Sequence, residues 1–311
     1  MEMTVITKQL GMLAIMMLLG FIGVKTKYLK PELKDSISKI ILNITLPLLN
    51  LTAISSQELH TEMLVNAGII AALAVVAMAV MLLVGFLWAK IFRLKPATMV
   101  MHSCMSASGN VVFLGYPLAT ALFGPEGFFY AVVYALVNEF LVWTLGLFVI
   151  TKTTTGNAKA GLKNLVNANT ISLVVAVLML IFKLRLPSVL HEPFATVGSM
   201  TTSLSMLFIG ITLATINLKG LYKRFSIFTV VLFKMILIPF AVIALLSPLP
   251  LNKILFGVLV LQMAMPGQSV LTIIANEYNA DYQYATECIF ITTVCCLATL
   301  PLVYWFMSLF V

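Results

Sequence analysis

Long apolar runs alternate with short polar stretches along almost the whole chain. Most runs are close to the 20 or so apolar residues that an α-helix needs to cross a bilayer. They lie at about 7–24, 36–55, 66–89, 98–122, 127–151, 169–186, 194–216, 226–247, 253–276 and 283–310. This pattern predicts an all-α polytopic membrane protein with ten transmembrane helices.

The composition supports a membrane protein and excludes soluble classes. Of the 311 residues, 61% are hydrophobic and 10% are charged, whereas a soluble domain carries roughly 45–50% apolar and about 25% charged residues. The longest hydrophilic stretch, residues 151–168, is too short to hold a soluble domain. The four cysteines lie in apolar runs without metal-ligand spacing, so neither a metal site nor a disulfide framework is predicted.

The basic residues concentrate on alternate loops, and this bias predicts an orientation. With the N-terminus outside, fourteen of the 19 Lys and Arg residues fall at cytoplasmic ends and four on the opposite side. The cytoplasmic set is Lys25, Lys27, Lys30, Lys34, Lys39, Lys90, Arg93, Lys95, Lys152, Lys159, Lys163, Lys219, Lys223 and Arg224. By the positive-inside rule we expect a protein of the cell membrane with both termini outside. The net charge of +8 is then explained by membrane topology and by contact with anionic lipid, not by binding to nucleic acid.

The two halves of the chain carry interruptions at matching places. A shift of 157 residues places Gly109 on Pro266 and Asn110 on Gly267, in the fourth and ninth apolar runs. Five runs in each half is an odd number, so a repeat of this kind must be inverted in the membrane. Paired broken helices are a sequence pointer to a transporter's midplane binding site. The predicted repeats are residues 1–151 and 152–311.

The interruptions themselves suggest an anion site. Glycine weakens a helix and proline removes a backbone donor, so Gly109 and Pro266 leave backbone groups that need partners within the membrane. Where two such breaks cross, half-helix ends can present N–H groups to an anion. Asn110 and Gln268 can add side-chain donors to a carboxylate. The alternative is a pair of packing kinks whose backbone groups are satisfied by neighbouring side chains.

Ionisable side chains also lie deep within apolar runs. Lys234 follows Arg224 by ten residues, which places it roughly 15 Å into the bilayer, and Glu139 is similarly deep. Intramembrane charges are expensive and are usually paired or functional. We therefore expect a Glu139–Lys234 ion pair, serving either as a structural clamp or in coupling. Further buried polar candidates are Asn43, Asn50, Asn138 and Gln262.

Several motifs resemble the auxin efflux carrier family, which includes the plant PIN proteins. The stretch from Gly109-Asn110 to Gly115-Tyr116-Pro117-Leu118 is similar to that family's first crossover. The second crossover is matched by Gln262–Pro266 followed by Glu277-Tyr278-Asn279, and Asn167-Ala168-Asn169-Thr170 resembles the opening of the sixth helix. The likeness covers nearly the whole chain.

The resemblance implies a fold and a site. The fold would be two inverted five-helix repeats with broken crossover helices 4 and 9, as in sodium–bile-acid symporters. Runs 1, 2, 6 and 7 would form a scaffold, and runs 3–5 and 8–10 a transport domain. The substrate's carboxylate would meet Asn110, and Asn138 and Asn50 stand where plant members carry residues near the substrate. Gly109 in place of proline, the acidic Glu139 and the short central loop suit a prokaryotic member better than a plant auxin carrier.

Three functions remain open at this point, two of them transporters and one from another class. The first is a secondary transporter that exports or exchanges a small organic anion, such as a mono- or dicarboxylate or an auxin-like acid, by an elevator-like or rocking movement. The second is a sodium- or proton-coupled symporter of organic anions, and the third is a membrane receptor or scaffold with a vestigial site. The candidate substrate-binding residues are Asn50, Gly109, Asn110, Asn138, Gln262, Pro266, Gly267 and Gln268.

Enzymes form a further class, which the sequence does not favour. It contains no HExxH motif, no Gly-Asp pair of the intramembrane aspartyl kind and no Walker motif. We expect no enzyme activity and no cofactor, with coupling to Na⁺ or H⁺ left open. The expected partners are the organic anion and the lipid bilayer, without nucleic acid, and a homodimer is left open.

Overall fold

The computed structural model describes residues 3–57, 60–156, 166–215 and 224–310. Within these ranges the regular structure is helical and no strand is formed. The helices are α1 (Met3–Lys25), α2 (Leu33–Ser55), α3 (Thr61–Ile91), α4 (Pro96–Ala107), α5 (Val111–Thr155), α6 (Ala168–Ile181), α7 (Ser188–Thr215), α8 (Ser226–Leu246), α9 (Lys253–Met263), α10 (Val270–Glu277) and α11 (Tyr282–Met307). The prediction of an all-helical protein is confirmed.

Six of these helices are long and apolar enough to cross a membrane, namely α2, α3, α5, α7, α8 and α11. Helix α5 has 45 residues, about twice the length that one crossing needs. It is divided at Gly124, which adopts φ 66° and is followed by Pro125. With ψ at −157°, this conformation is readily accessible to glycine but strained for other residues, and it divides α5 into two helical segments. A multi-pass membrane protein is confirmed, while the number of crossings and the inverted repeat stay predictions.

Four π-helical turns widen the described helices, and three of them end two residues before a proline; the fourth is Val142–Gly146. The three are Ile41–Thr45 before Pro47, Val111–Gly115 before Pro117, and Phe233–Leu237 before Pro239. A proline ring clashes with the carbonyl four residues earlier and cannot donate to it. A wider turn relieves that clash, and turns of this kind are frequent at functional sites. The turns at Val111–Gly115 and Phe233–Leu237 border the candidate site.

Close backbone approach joins α1 to α7. A Cβ atom on Gly20 would lie 2.5 Å from the carbonyl oxygen of Leu207, and one on Gly210 would overlap the carbonyl of Met17. Helix α2 in turn packs against α6 and α7, and α3 packs against α4. Glycine is therefore required at Gly20 and Gly210 for this spacing of the helices.

The two helix interruptions meet each other. Helix α4 ends at Ala107 before α5 begins, and α9 ends at Met263 before α10 begins. The backbone N–H of Asn110 donates to the carbonyl oxygen of Pro266 across 2.7 Å, and Gly109 and Gly267 form an isolated antiparallel bridge. The breaks at Gly109 and Pro266 that the sequence predicts are thus present.

Part of the charge bias falls outside the described residues, namely Lys159, Lys163, Lys219 and Lys223. The orientation with both termini outside, and the division at residue 151 into two repeats, stay predictions.

Candidate functional site

Asn138 holds the two interruptions together. Its side-chain Oδ1 accepts from the backbone N–H of Gly109 across 3.3 Å, and its Nδ2 donates to Oε1 of Gln268 across 3.0 Å. On the second break, the N–H of Gly267 donates to Oγ1 of Thr292 across 3.0 Å. Backbone groups freed by the breaks are therefore paired with polar side chains, as the apolar surroundings require.

Lys234 lies against the end of the first broken helix. It belongs to the π-helical turn of α8, is 1% exposed, and donates from Nζ to the carbonyl oxygens of Met105, across 3.1 Å, and of Ser108. The last carbonyls of a helix lack intrahelical partners and carry partial negative charge. The ammonium group of Lys234 therefore stabilises the carboxyl end of α4.

The expected Glu139–Lys234 ion pair is wrong. Oε1 of Glu139 accepts from Nε2 of Gln268 across 2.6 Å, while the ammonium group of Lys234 binds backbone carbonyls. The pair was predicted because Glu139 and Lys234 lie at similar depths in the membrane. Similar depth does not bring two side chains together, since they can lie on opposite sides of a broken helix. The carbonyl end of α4 satisfies Lys234 without a carboxylate.

A cavity of about 530 Å³ lies beside the crossing point. On one side it is lined by the first residues of α5, residues 111–113, and by residues 268–270 at the start of α10. The N–H groups in the first turn of a helix have no intrahelical partner and give that end partial positive charge. Two helix N-termini therefore border one cavity, an arrangement that favours an anion.

The polar side chains of the cavity come from both sides. Asn110, Glu139 and Gln268 line the wall formed by the broken helices, and Asn43, Asn167, Asn169 and Thr170 line it from α2 and the start of α6. Asn43 and Asn167 are exposed, so the cavity reaches the surface. Asn110 is 6% exposed, and its side-chain amide makes no hydrogen bond to another group among the described residues. Its amide is therefore available to a ligand.

Five of the predicted substrate-binding residues do not line the cavity, namely Asn50, Asn138, Gln262, Pro266 and Gly267. Asn50 is buried and donates from Nδ2 to Oδ1 of Asn169 across 2.7 Å, so it positions a lining residue. Gln262 is 1% exposed, and neither of its amide atoms has a partner among the described residues. A Cβ on Gly115 would overlap that amide, which places Gln262 against the first turn of α5. Asn138, Pro266 and Gly267 take part in the contacts that hold the crossing, while Gly109 also lines the cavity; substrate contact by these residues stays a prediction.

Sequence reasoning did not single out several contributors to the site. Thr292 satisfies Gly267, and Tyr116 and Trp143 line the cavity. A hydroxyl in the middle of an apolar run is the signal that could have identified Thr292. The aromatic residues carry no such signal, because aromatic side chains are ordinary components of membrane helices.

A second polar cluster joins the ends of α4, α8 and α11. NH1 of Arg224 lies 3.1 Å from Oδ2 of Asp281, and Oγ1 of Thr98 donates to the same oxygen across 2.7 Å. The N–H of Tyr284 donates to Oδ1 of Asp281 across 2.9 Å. Burial raises the pKa of Asp281, but the bonds from Tyr284 and Thr98 and the charge of Arg224 outweigh it and hold that pKa below its usual value.

Broken helices around a polar cavity, within a multi-pass membrane protein, are features of a membrane transporter. Residues 5–304 match the family described as "Membrane transport protein", and the chain belongs to this family, which comprises the auxin efflux carriers. The predicted family resemblance is confirmed.

Two archaeal proteins are similar to this chain over almost their full length. An uncharacterized transporter of Methanocaldococcus jannaschii is 25% identical over 298 residues, which cover 94% of this chain and 95% of that protein. An uncharacterized transporter of Methanothermobacter thermautotrophicus is 24% identical over 291 residues, which cover 93% and 94%. A transporter role is therefore supported by family and by relatives.

Proposed function

We propose that this protein is a secondary transporter that carries a small organic anion, bound through a carboxylate, across the cell membrane. The observation that supports this most is the cavity onto which α5 and α10 both begin, with the unpartnered amide of Asn110 beside it. In this proposal the backbone N–H groups of residues 111–113 and of Val270, together with Nδ2 of Asn110, donate to the carboxylate. The amide of Asn169, on the opposite wall of the cavity, contacts the rest of the substrate.

The proposed movement follows from the origin of the two walls. One wall comes from α5 and α10, and the other from α2 and α6. Helix α2 packs with α6 and α7, and α7 packs with α1. If α1, α2, α6 and α7 form the scaffold and the other helices move against it, the cavity opens to alternate sides of the membrane. In this arrangement the chain forms ten crossings in two inverted repeats.

Lys234 supports a carrier that does not use sodium. Its ammonium group already supplies a positive charge to the carbonyl end of α4, where a bound cation would otherwise be stabilised. In the proposed mechanism this fixed charge makes transport indifferent to sodium, which separates the protein from a sodium-coupled symporter.

The test is uptake by purified protein in proteoliposomes, using formate, acetate, lactate, malate and indole-3-acetate with and without a sodium gradient. We expect accumulation of at least one of these acids that does not change with sodium. Lipid vesicles without protein give the background. Failure to transport any of the panel would contradict the proposal. Binding without transport would favour a receptor, and steep dependence on sodium would favour the symporter.

Asn110→Ala is the variant that tests the site. It removes a donor to a charged group, worth roughly 1.5–3 kcal/mol, so the apparent affinity should weaken about 10- to 100-fold. Asn43→Ala is the matched control, because Asn43 is exposed and its Nδ2 already donates to the carbonyl of Lys39; we expect a smaller change there. Unaltered transport kinetics in Asn110→Ala would place the binding site elsewhere.

A further inference from the structure

Glu139 is the one charged side chain lining the cavity among the residues that the structure describes. Its Oε1 accepts from Nε2 of Gln268 across 2.6 Å. Trp143 and Gln268 line the same cavity. A negative group therefore stands in a site whose helix ends favour an anion.

Among the described residues, no counter-charge lies beside the carboxylate of Glu139. The titratable side chain that faces it across the cavity is the phenol of Tyr116, in the first part of α5. From α2, the charged side chain one turn before the lining residue Asn43 is Lys39, which is exposed. Lys234 of α8 is directed at the carbonyls of α4. The parts of α6 and α10 that line the cavity contribute amide, hydroxyl and apolar side chains, and Glu277 of α10 is exposed at the far end of that helix.

A substrate carboxylate and an ionised Glu139 would compete for the same donors. Gln268, which donates to Glu139, directly precedes the first turn of α10, where the proposed function places the substrate. When two carboxylates share one site, the first ionises readily and the second retains its proton. Neutralising one of the pair removes this conflict.

We propose that Glu139 takes up a proton when the substrate anion binds, so that one H⁺ crosses the membrane with each carboxylate. This inference rests on the proposed function. The proton comes from water on the side to which the cavity opens, and it leaves to water on the other side together with the substrate. Protonated Glu139 still accepts from Gln268 through its carbonyl oxygen, and its O–H can donate to the substrate carboxylate, which turns repulsion into a charge-assisted hydrogen bond.

Linkage fixes the direction of the pH effect. If the substrate favours protonated Glu139, the proton must equally favour the substrate-bound carrier. Between about pH 6 and about pH 8 a simple carboxylic acid stays ionised. The apparent affinity of the carrier for this substrate should therefore weaken as the pH rises. The loss should be up to about tenfold per pH unit over the range in which Glu139 of the empty carrier is ionised.

The experiment uses each acid of the panel that the wild-type protein transports. Proteoliposomes are held at zero membrane potential with potassium and valinomycin, and a dye in the lumen reports pH during uptake. We expect lumenal acidification of one proton per substrate in the wild-type protein. Glu139→Gln should lose the acidification and the pH dependence of apparent affinity. Glu277→Gln, the same change at an exposed position of α10, should retain both.

The possible results distinguish a failure of proton co-transport from a failure of the proposed anion transport. Uptake by the wild-type protein without acidification would overturn proton co-transport while leaving anion transport intact, and this readout does not depend on the variant folding. Acidification that persists in Glu139→Gln would assign the proton to another group. Absence of uptake for the entire panel would reject the proposed function itself.

Discussion

At the scale of single residues, the buried lysine shows how a membrane protein can satisfy a charge without an ion pair. Lys234 binds the carbonyl oxygens of Met105 and Ser108, which are left over where α4 stops. The break in the helix and the charge near it therefore stabilise each other. Removing the ammonium group would leave those carbonyls without a partner in a region that offers no water.

Lys234→Met should accordingly destabilise the protein. Each buried acceptor that loses its partner costs about 1–3 kcal/mol, so a clear fall in the melting temperature in detergent is expected, with loss of transport. Lys90→Met, at the exposed end of α3, is the control and should change neither the melting temperature nor transport.

Because Glu139 does not contact Lys234, adding Glu139→Gln should not restore the stability or transport of Lys234→Met. Restoration in the double mutant would contradict the observed bonding. Activity that sodium restores to Lys234→Ala would show that the lysine fills a cation site.

Sequence reasoning identified several side chains that lie at the crossing of the broken helices, but not all of their partners. Gly109 and Pro266 were predictable as breaks, since each residue weakens a helix for a local reason, and Asn110 and Gln268 follow from their positions beside them. The partner of Glu139 was not predictable, because it depends on how α10 meets α5 across 129 residues of chain. The wall formed by Asn43 and Asn169 depends in the same way on the packing of α2 against α6.

At the scale of helices, the α1–α7 contact depends on an absent side chain. A Cβ on Gly210 would overlap the backbone of Met17, and a backbone carbonyl cannot rotate away as a side chain can. Gly210→Ala should therefore destabilise the protein by about 1–3 kcal/mol, the usual cost of overpacking. Gly68→Ala in α3, where nothing lies within 4 Å of the added atom, should be neutral or stabilising. Melting temperatures of the pair, measured in one detergent, test this; equal stability of both variants would mean that α1 and α7 are farther apart.

The cluster around Asp281 connects three helix ends and should give stability a pH dependence. Its pKa is held below the usual 3.8, so the carboxylate stabilises the folded protein above that pH and this contribution is lost as the pH falls through the lowered pKa. Asp281→Asn should lower the melting temperature at neutral pH, and the difference from the wild-type protein should shrink on acidification to about pH 3. Asp35→Asn, on an exposed position of α2, is the control. A difference that stays constant with pH would show that the charge of Asp281 is not what stabilises the cluster.

At the scale of the whole molecule, orientation follows from charge placement rather than from contacts. The bias of basic residues predicts that positions 60 and 311 face outside and position 157 faces the cytoplasm. Single cysteines introduced there, in a background without the four native cysteines, should react with a membrane-impermeant thiol reagent from outside at 60 and 311 only. Labelling of position 157 from outside in intact cells would show that the predicted orientation is wrong.

The hydrogen bond from Asn110 to Pro266 has a consequence for how such a chain could arise. It joins residues 156 positions apart, and each residue belongs to a different predicted repeat. A polypeptide of half this length would bring the N–H of Asn110 into hydrocarbon without that acceptor, at a cost of several kcal/mol. Such a half-length ancestor would have needed a second copy, inserted in the opposite direction, to complete its broken helix. When the two copies are joined in one chain, their pairing no longer depends on protein concentration. The connection also ensures that one copy of each orientation is present.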